Sequence, residues 1–247
     1  MVRSCIDWFK SRSRDDAPAL RQVSGTLACY DGKLDDRHGA DLADWLSKRS
    51  NPSLVIRSPG GSVAMGLRIG RAVFKSSATV KAFQVCASSC ANYVFGASPR
   101  RVIMRDTLVV FHGGISQRII GRLEEEARSQ LMSAHFPQET IDKSVRSIRR
   151  DLEEQLQEQR QLLTAAGVDP GFLERFDNVT DHDLATLRCT NHSNRDAIYL
   201  TKGQFLEIGM AVHGFTISTL QEAALILKKI KSTRGVCQAP SKLVRDR

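Results

Sequence analysis

Leu54-Val55-Ile56-Arg57-Ser58-Pro59-Gly60-Gly61-Ser62-Val63 is the stretch on which the fold class turns. Leu54–Arg57 is a short apolar run of the kind a buried strand needs, and Ser58-Pro59-Gly60-Gly61 stops it. Met65, Leu67, Ile69, Ala72 and Val73 follow at spacings that suit a helix opened by the glycine turn. The same unit recurs on both sides. Upstream, Val23–Tyr30 reads as a strand ended by Asp31-Gly32, and Gly39–Arg49 places Leu42, Trp45 and Leu46 on one helical face. Downstream, Thr79–Val85 reads as a strand running into the small residues Cys86–Ala91 and then Asn92–Ala97. Two further strands, Arg101–Met104 and Thr107–His112, end at Gly113-Gly114. Strands and helices alternating at this interval predict an α/β domain with a largely parallel sheet.

The flanks differ from this core. Residues 1–22 form a polar arm, expected to be mobile or a peripheral helix, and residues 23–216 form the domain. Gln117–Ala166 is helical in character. Within its long helix, 138–166, residues Ile141, Val145, Ile148, Leu152 and Leu156 line one face and Glu and Arg alternate on the other. Residues 178–195 are polar, carry His182, Cys189 and His192, and read as a loop-rich insertion. Ala197–Gly209 reads as a short strand into a helix. Residues 217–247 hold a last helix, Thr219–Lys231, and a basic tail after Ser232 expected to be disordered.

Composition narrows the function classes. The 247 residues are 41% hydrophobic and 26% charged, enough for a substantial core and incompatible with disorder as the main state. The formal charge of +9 is spread over several clusters without interleaved aromatics, so a solvated basic surface is expected and no nucleic-acid partner. No stretch has the roughly 18–20 apolar residues of a membrane helix. The first 25 residues contain no signal-peptide apolar region, which gives a cytoplasmic expectation, or a periplasmic one if the N-terminus is incomplete. Of the six cysteines, Cys5, Cys29, Cys86, Cys90, Cys189 and Cys237, no disulfide framework is indicated and buried free thiols are expected, with a Cys86–Cys90 bond left open for an exported protein if Cys86 lies outside the helix. Cys86, Cys90, Cys189 and His192 form an alternative zinc set whose spacing is looser than structural zinc sites use.

Two places concentrate chemistry at the carboxyl ends of the predicted strands, where open α/β folds gather ligands. Paired glycines at 60 and 61 let the backbone approach a reacting atom with its N–H groups outward, as an oxyanion hole requires. A phosphate loop would end in Gly-Lys-Ser/Thr, and this one does not. Cys86-Ala87-Ser88-Ser89-Cys90-Ala91 can hold a serine in a tight turn with its hydroxyl exposed. Such a hydroxyl needs a base, and His112 is the best placed of the six histidines.

That order of motifs resembles the Clp-type serine peptidases. Arg57–Val63 resembles their S-P-G-G turn, Cys86–Ala97 (CASSCANYVFGA) their serine segment, and Val110-Phe111-His112-Gly113 the strand that ends in their histidine. Leu200–Met210 (LTKGQFLEIGM) is similar to their late segment, so the resemblance runs from Val23 to Gly214. It implies a ClpP/crotonase-like fold of repeated β-β-α units with a long helical extension after the core. It also implies a serine endopeptidase acting on peptides or small unfolded proteins without cofactor or metal, in a homo-oligomer. The nearest branch is the stand-alone one carrying C-x-S-x-C, so no partner ATPase is named. Ser88, 24 residues before His112, fits the nucleophile better than Ser89. Ser89 would then contribute its backbone N–H beside Gly61 to the oxyanion hole. Asp177 resembles the third triad member, with Asp196 as its rival.

Three alternatives share the fold. A catalytically inactive scaffold would keep it for assembly. An acyl-CoA hydratase or isomerase would want a carboxylate at the oxyanion turns, where none occurs. A Ser–Lys dyad would draw on Lys75 or Lys81, and the histidine at 112 argues against it.

Overall fold

The computed structural model describes residues 2–13, 16–179, 187–190, 197–232 and 235–244. Nine strands among them form one sheet in a mixed α/β architecture. β1 (Ala19–Gln22) pairs antiparallel with β2 (Leu27–Asp31), and β2, β3 (Ser53–Ser58) and β4 (Thr79–Ala87) run parallel. α2 (Asp36–Ser47) connects β2 to β3, and α3 (Val63–Lys75) connects β3 to β4. α1 (Val2–Lys10) precedes them, so the arm expected at the N-terminus begins as a docked helix.

β4 is the pivot of the sheet. Its first half pairs with β5 (Arg100–Ile103) and its last three residues pair with β6 (Leu108–Phe111). The switch happens at a bulge, where β3 advances from Ile56 to Ser58 while β4 advances from Ala82 to Cys86. Gln84 sits inside the bulge at φ +58° and donates its N–H to Thr107 Oγ1 at 3.0 Å. An inserted kink of this kind re-aims the strand. Here it turns the end of β4 away from β5 and onto β6.

The remaining elements flank this pivot. A π-helix, Cys90–Phe95, follows β4, and the helical hairpin α4 (Gln117–Ser133) and α5 (Gln138–Ala165) follows β6. After a 3₁₀ turn at Glu174–Asn178, β7 (Ile198–Tyr199) pairs antiparallel with β6. α6 (Lys202–Glu207), β8 (Val212–Gly214) and α7 (Leu220–Lys229) come next. β9 (Cys237–Gln238) and α8 (Ser241–Val244) complete the described chain. The tail expected to be disordered thus carries structure, because Val236, Cys237, Leu243 and Val244 are buried and β9 pairs with β7.

Strand alternation sorts the core into two faces. Ala28, Tyr30, Leu54, Ile56, Val80 and Ala82 face α2, α3 and the π-helix in the main core. On the opposite face, Leu27, Cys29, Val55 and Phe83 pack against α1 at one end of the sheet. Leu108, Val110 and Tyr199 pack against α7 at the other end. The gap on that face between α1 and α7 holds the cavity described next.

The cysteine reading requires correction. All six cysteines are paired, Cys5 with Cys29, Cys86 with Cys90, and Cys189 with Cys237. The first bond fastens α1 to β2 and the third fastens β9 to the chain before β7. Their partners lie 24 and 48 residues apart, contacts that spacing alone does not announce. The zinc alternative is not assembled, since its three cysteines are used in disulfides; His192 and His182 lie outside the described residues. Among the described residues, no helix is long and apolar enough to cross a membrane.

Candidate active site

The parallel pairing of β3 with β4 brings Ser58 beside Cys86, so the glycine turn and the serine turn leave the sheet together. Gly60 adopts φ +93°, and a Cβ there would lie 2.6 Å from both the Ala87 carbonyl oxygen and the Ser88 Cβ. Only glycine allows this approach and this backbone conformation. Gly61, at φ +152°, presses equally closely on the backbone of Leu34. Two hydrogen bonds lock that contact, Leu34 N–H to Gly60 O at 2.9 Å and Ser62 N–H to Leu34 O at 3.0 Å. They leave the Gly61 N–H without an acceptor among the described residues. Ser62 then caps α3, its Oγ accepting from the Met65 N–H at 3.2 Å.

Ser88 occupies a sharp turn between β4 and the π-helix, at φ +56°. A non-glycine residue in this left-handed region costs about 1–2 kcal/mol and persists only where its surroundings impose it. Several contacts do so here. The Ser88 N–H donates to Val110 O at 3.0 Å, its carbonyl accepts from the Asn92 N–H at 2.8 Å, and the Cys86–Cys90 disulfide brackets it. That bond forms because Cys86 lies near the end of β4 and Cys90 begins the π-helix. Two positions four apart within one helix would lie too far from each other.

The pairing of β4 with β6 sets Ala87 opposite Val110, which carries Ser88 alongside the end of β6. His112 is the first residue beyond that strand, and its Nε2 lies 2.6 Å from Ser88 Oγ. The imidazole is exposed, and its Nδ1 has no hydrogen-bond partner among the described residues. Ser89 is different. It is 2% exposed and donates its hydroxyl to Gly61 O at 3.0 Å, so its side chain ties the serine turn to the glycine turn.

Asp177 lies in the 3₁₀ turn, next to Phe176, which packs on Gly113. Its carbonyl accepts from Arg118 Nη1 at 2.7 Å, and its carboxylate makes no hydrogen bond to His112. Asp177 instead lines a second cavity of about 480 Å³ with Ser116, Arg160 and Glu174. Asp196 lies outside the described residues. Lys75, in the last turn of α3, and Lys81, within β4, are not part of the cavity at Ser88.

That cavity measures about 790 Å³ and has two unlike walls. One is apolar, formed by Val85, Leu108 and Val110 of the sheet and by Leu227, Ile230 and Val236 at and beyond α7. The other holds Lys33, the glycine turn and the buried pair of Arg57 with Asp31, whose two guanidinium–carboxylate bonds are each 2.7 Å. The part played by the C-terminal segment in this wall is not legible from sequence motifs. Nor is Asn92 singled out by them, although a polar residue four places after the serine in an otherwise apolar run is a usable signal.

No family model and no curated relative matches the chain. Among solved structures, it is similar to a point mutant of ClpP1 from Listeria monocytogenes at 14% identity and a TM-score of 0.35, over 57% of this chain and 77% of that one.

Proposed function

We propose that the chain is a serine peptidase of Clp-like type with a crotonase-like core, cleaving peptide bonds next to apolar side chains. The observation that carries this reading is the 2.6 Å contact between His112 Nε2 and the hydroxyl of a serine held in a left-handed turn. His112 takes the Ser88 proton as Oγ attacks the substrate carbonyl. The oxyanion is received by the backbone N–H groups of Gly61 and Ser89, which flank the nucleophile. His112 then protonates the leaving amine, and a water activated by the same imidazole hydrolyses the acyl-enzyme. Asp177 or Asp196 would orient the imidazole in the bound complex. No cofactor enters this scheme.

The apolar wall of the cavity suits an apolar side chain of the substrate, and self-association is part of the same reading. With every cysteine paired, an oxidising compartment fits better than the reducing cytoplasm. The test is hydrolysis of fluorogenic peptides bearing leucine, aspartate or lysine before the reporter. Cleavage of the leucine peptide, lost in Ser88→Ala, is expected. A second reading, an inactive scaffold, draws on the Nδ1 of His112 having no hydrogen-bond partner among the described residues. It would be supported if a folded, assembled protein cleaves none of them.

A further inference from the structure

We propose that Asn92 positions His112 against Ser88, coupling the two turns of the site through one side chain. The inference rests on the peptidase reading for its consequence in activity, but its geometry stands apart from it. Asn92 is 2% exposed on the π-helix, where its neighbours Ala91, Tyr93, Val94 and Phe95 are all fully buried. Its N–H holds the Ser88 carbonyl at 2.8 Å. Its side-chain Nδ2 donates to the carbonyl of Gly113, the residue after His112, at 2.6 Å. The other side-chain atom, Oδ1, is buried without a hydrogen-bond partner. A buried amide that leaves its acceptor unpaired does not maximise stability. Its side-chain N–H donates to the loop that carries the histidine, and the same amide also acts on the neighbouring Tyr93 hydroxyl.

The arrangement also accounts for how His112 is held at all. Its ring has no partner on Nδ1 among the described residues, so its placement comes from the backbone on either side. β6 fixes the residue before it, and Asn92 fixes the residue after it. Gly113 is at φ +90°, and this turn would otherwise be free to swing the imidazole off Ser88. A displacement of about 1 Å at a reacting group can cost on the order of 100-fold in rate.

The experiment compares wild type with Asn92→Asp, an isostere that cannot donate when ionised, and Asn92→Leu, which fills the same space. Each is made alone and on a His112→Ala background. Two readouts are taken: the second-order rate of fluorophosphonate labelling, and the His112 ring signals by NMR, assigned by their loss in His112→Ala. Labelling should fall about 10- to 100-fold in the folded single variants, with no further fall on the His112→Ala background. The His112 signals should shift while those of His38 and His213 stay in place. Wild-type labelling in a folded variant, an equal fall on both backgrounds, or unmoved His112 signals would overturn the proposal. A wild type that does not label, with His112 signals that still shift, would remove the peptidase reading and leave the assignment of Asn92 standing. If Asn92→Asp does not fold, Asn92→Leu carries the same expectations.

Discussion

The serine turn and the histidine turn meet at 2.6 Å, yet they are built in opposite ways. Ser88 is enclosed: a disulfide spans it, Gly60 packs on its Cβ, and its N–H and carbonyl are both bonded. His112 stands exposed at a strand end, its ring hydrogen-bonded only to the serine among the described residues and its backbone held through Gly113. The proposed nucleophile is therefore strained and over-determined, while the proposed base is placed by a few contacts. Pre-organisation of a strained nucleophile needs this kind of enclosure. A base mounted on few contacts is where activity should be most easily lost without loss of fold.

The largest effect should come from removing either partner of the contact. Ser88→Ala and His112→Ala are each expected to lower peptide hydrolysis by about 10³-fold or more, with thermal unfolding nearly unchanged. If His112→Ala retains most activity, the second half of the comparison breaks. Next is Gly60→Ala, which places a methyl group on the Ala87 carbonyl in a backbone region alanine avoids. A loss of about 3 kcal/mol or more in chemical denaturation is expected, together with loss of activity.

The disulfides sharpen the contrast. Replacing Cys86 and Cys90 by serine opens a short loop and should cost about 2 kcal/mol, with hydrolysis falling about 10-fold. Replacing Cys5 and Cys29 opens a longer loop and should cost about 3 kcal/mol, with hydrolysis of the remaining folded protein within twofold of wild type. Equal activity losses from the two pairs would show that the bond at the serine turn acts only as a staple.

The smallest effect concerns the loop that anchors the glycine turn. Asp35 caps α2 by accepting from the His38 N–H at 2.8 Å, one residue beyond Leu34. Burial alone would raise its carboxyl, but the hydrogen bonds from His38 outweigh burial and hold it below the usual carboxylate range. A lowered folded value means stability that is present above the ordinary carboxylate range and lost as pH falls through it. Asp35→Ala should cost about 1 kcal/mol at pH 7 and less at pH 3, with activity within twofold of wild type.

What the sequence could and could not reveal follows the same division. Leu54–Ser62, Thr79–Ser88 and Thr107–His112 announce themselves, because apolar runs ending in glycine or small residues have few other structural uses. The long helix is equally plain, with α5 at Gln138–Ala165 against the expected 138–166. The bulge at Gln84 has no signature, since its cause is the change of partner from β5 to β6. The disulfides between distant cysteines, the structured tail and the wall supplied by α7 are contacts between remote segments, which local periodicity does not encode. Asp177 faces another cavity and Asp196 falls outside the described residues.

The central claim is that His112 activates Ser88 in particular, and mass spectrometry after fluorophosphonate treatment tests it most directly. The account predicts one adduct per chain, on Ser88 and not on Ser89, formed about 1000-fold more slowly in His112→Ala. An adduct on Ser89 or elsewhere, or no adduct on a folded and assembled wild type, would contradict it.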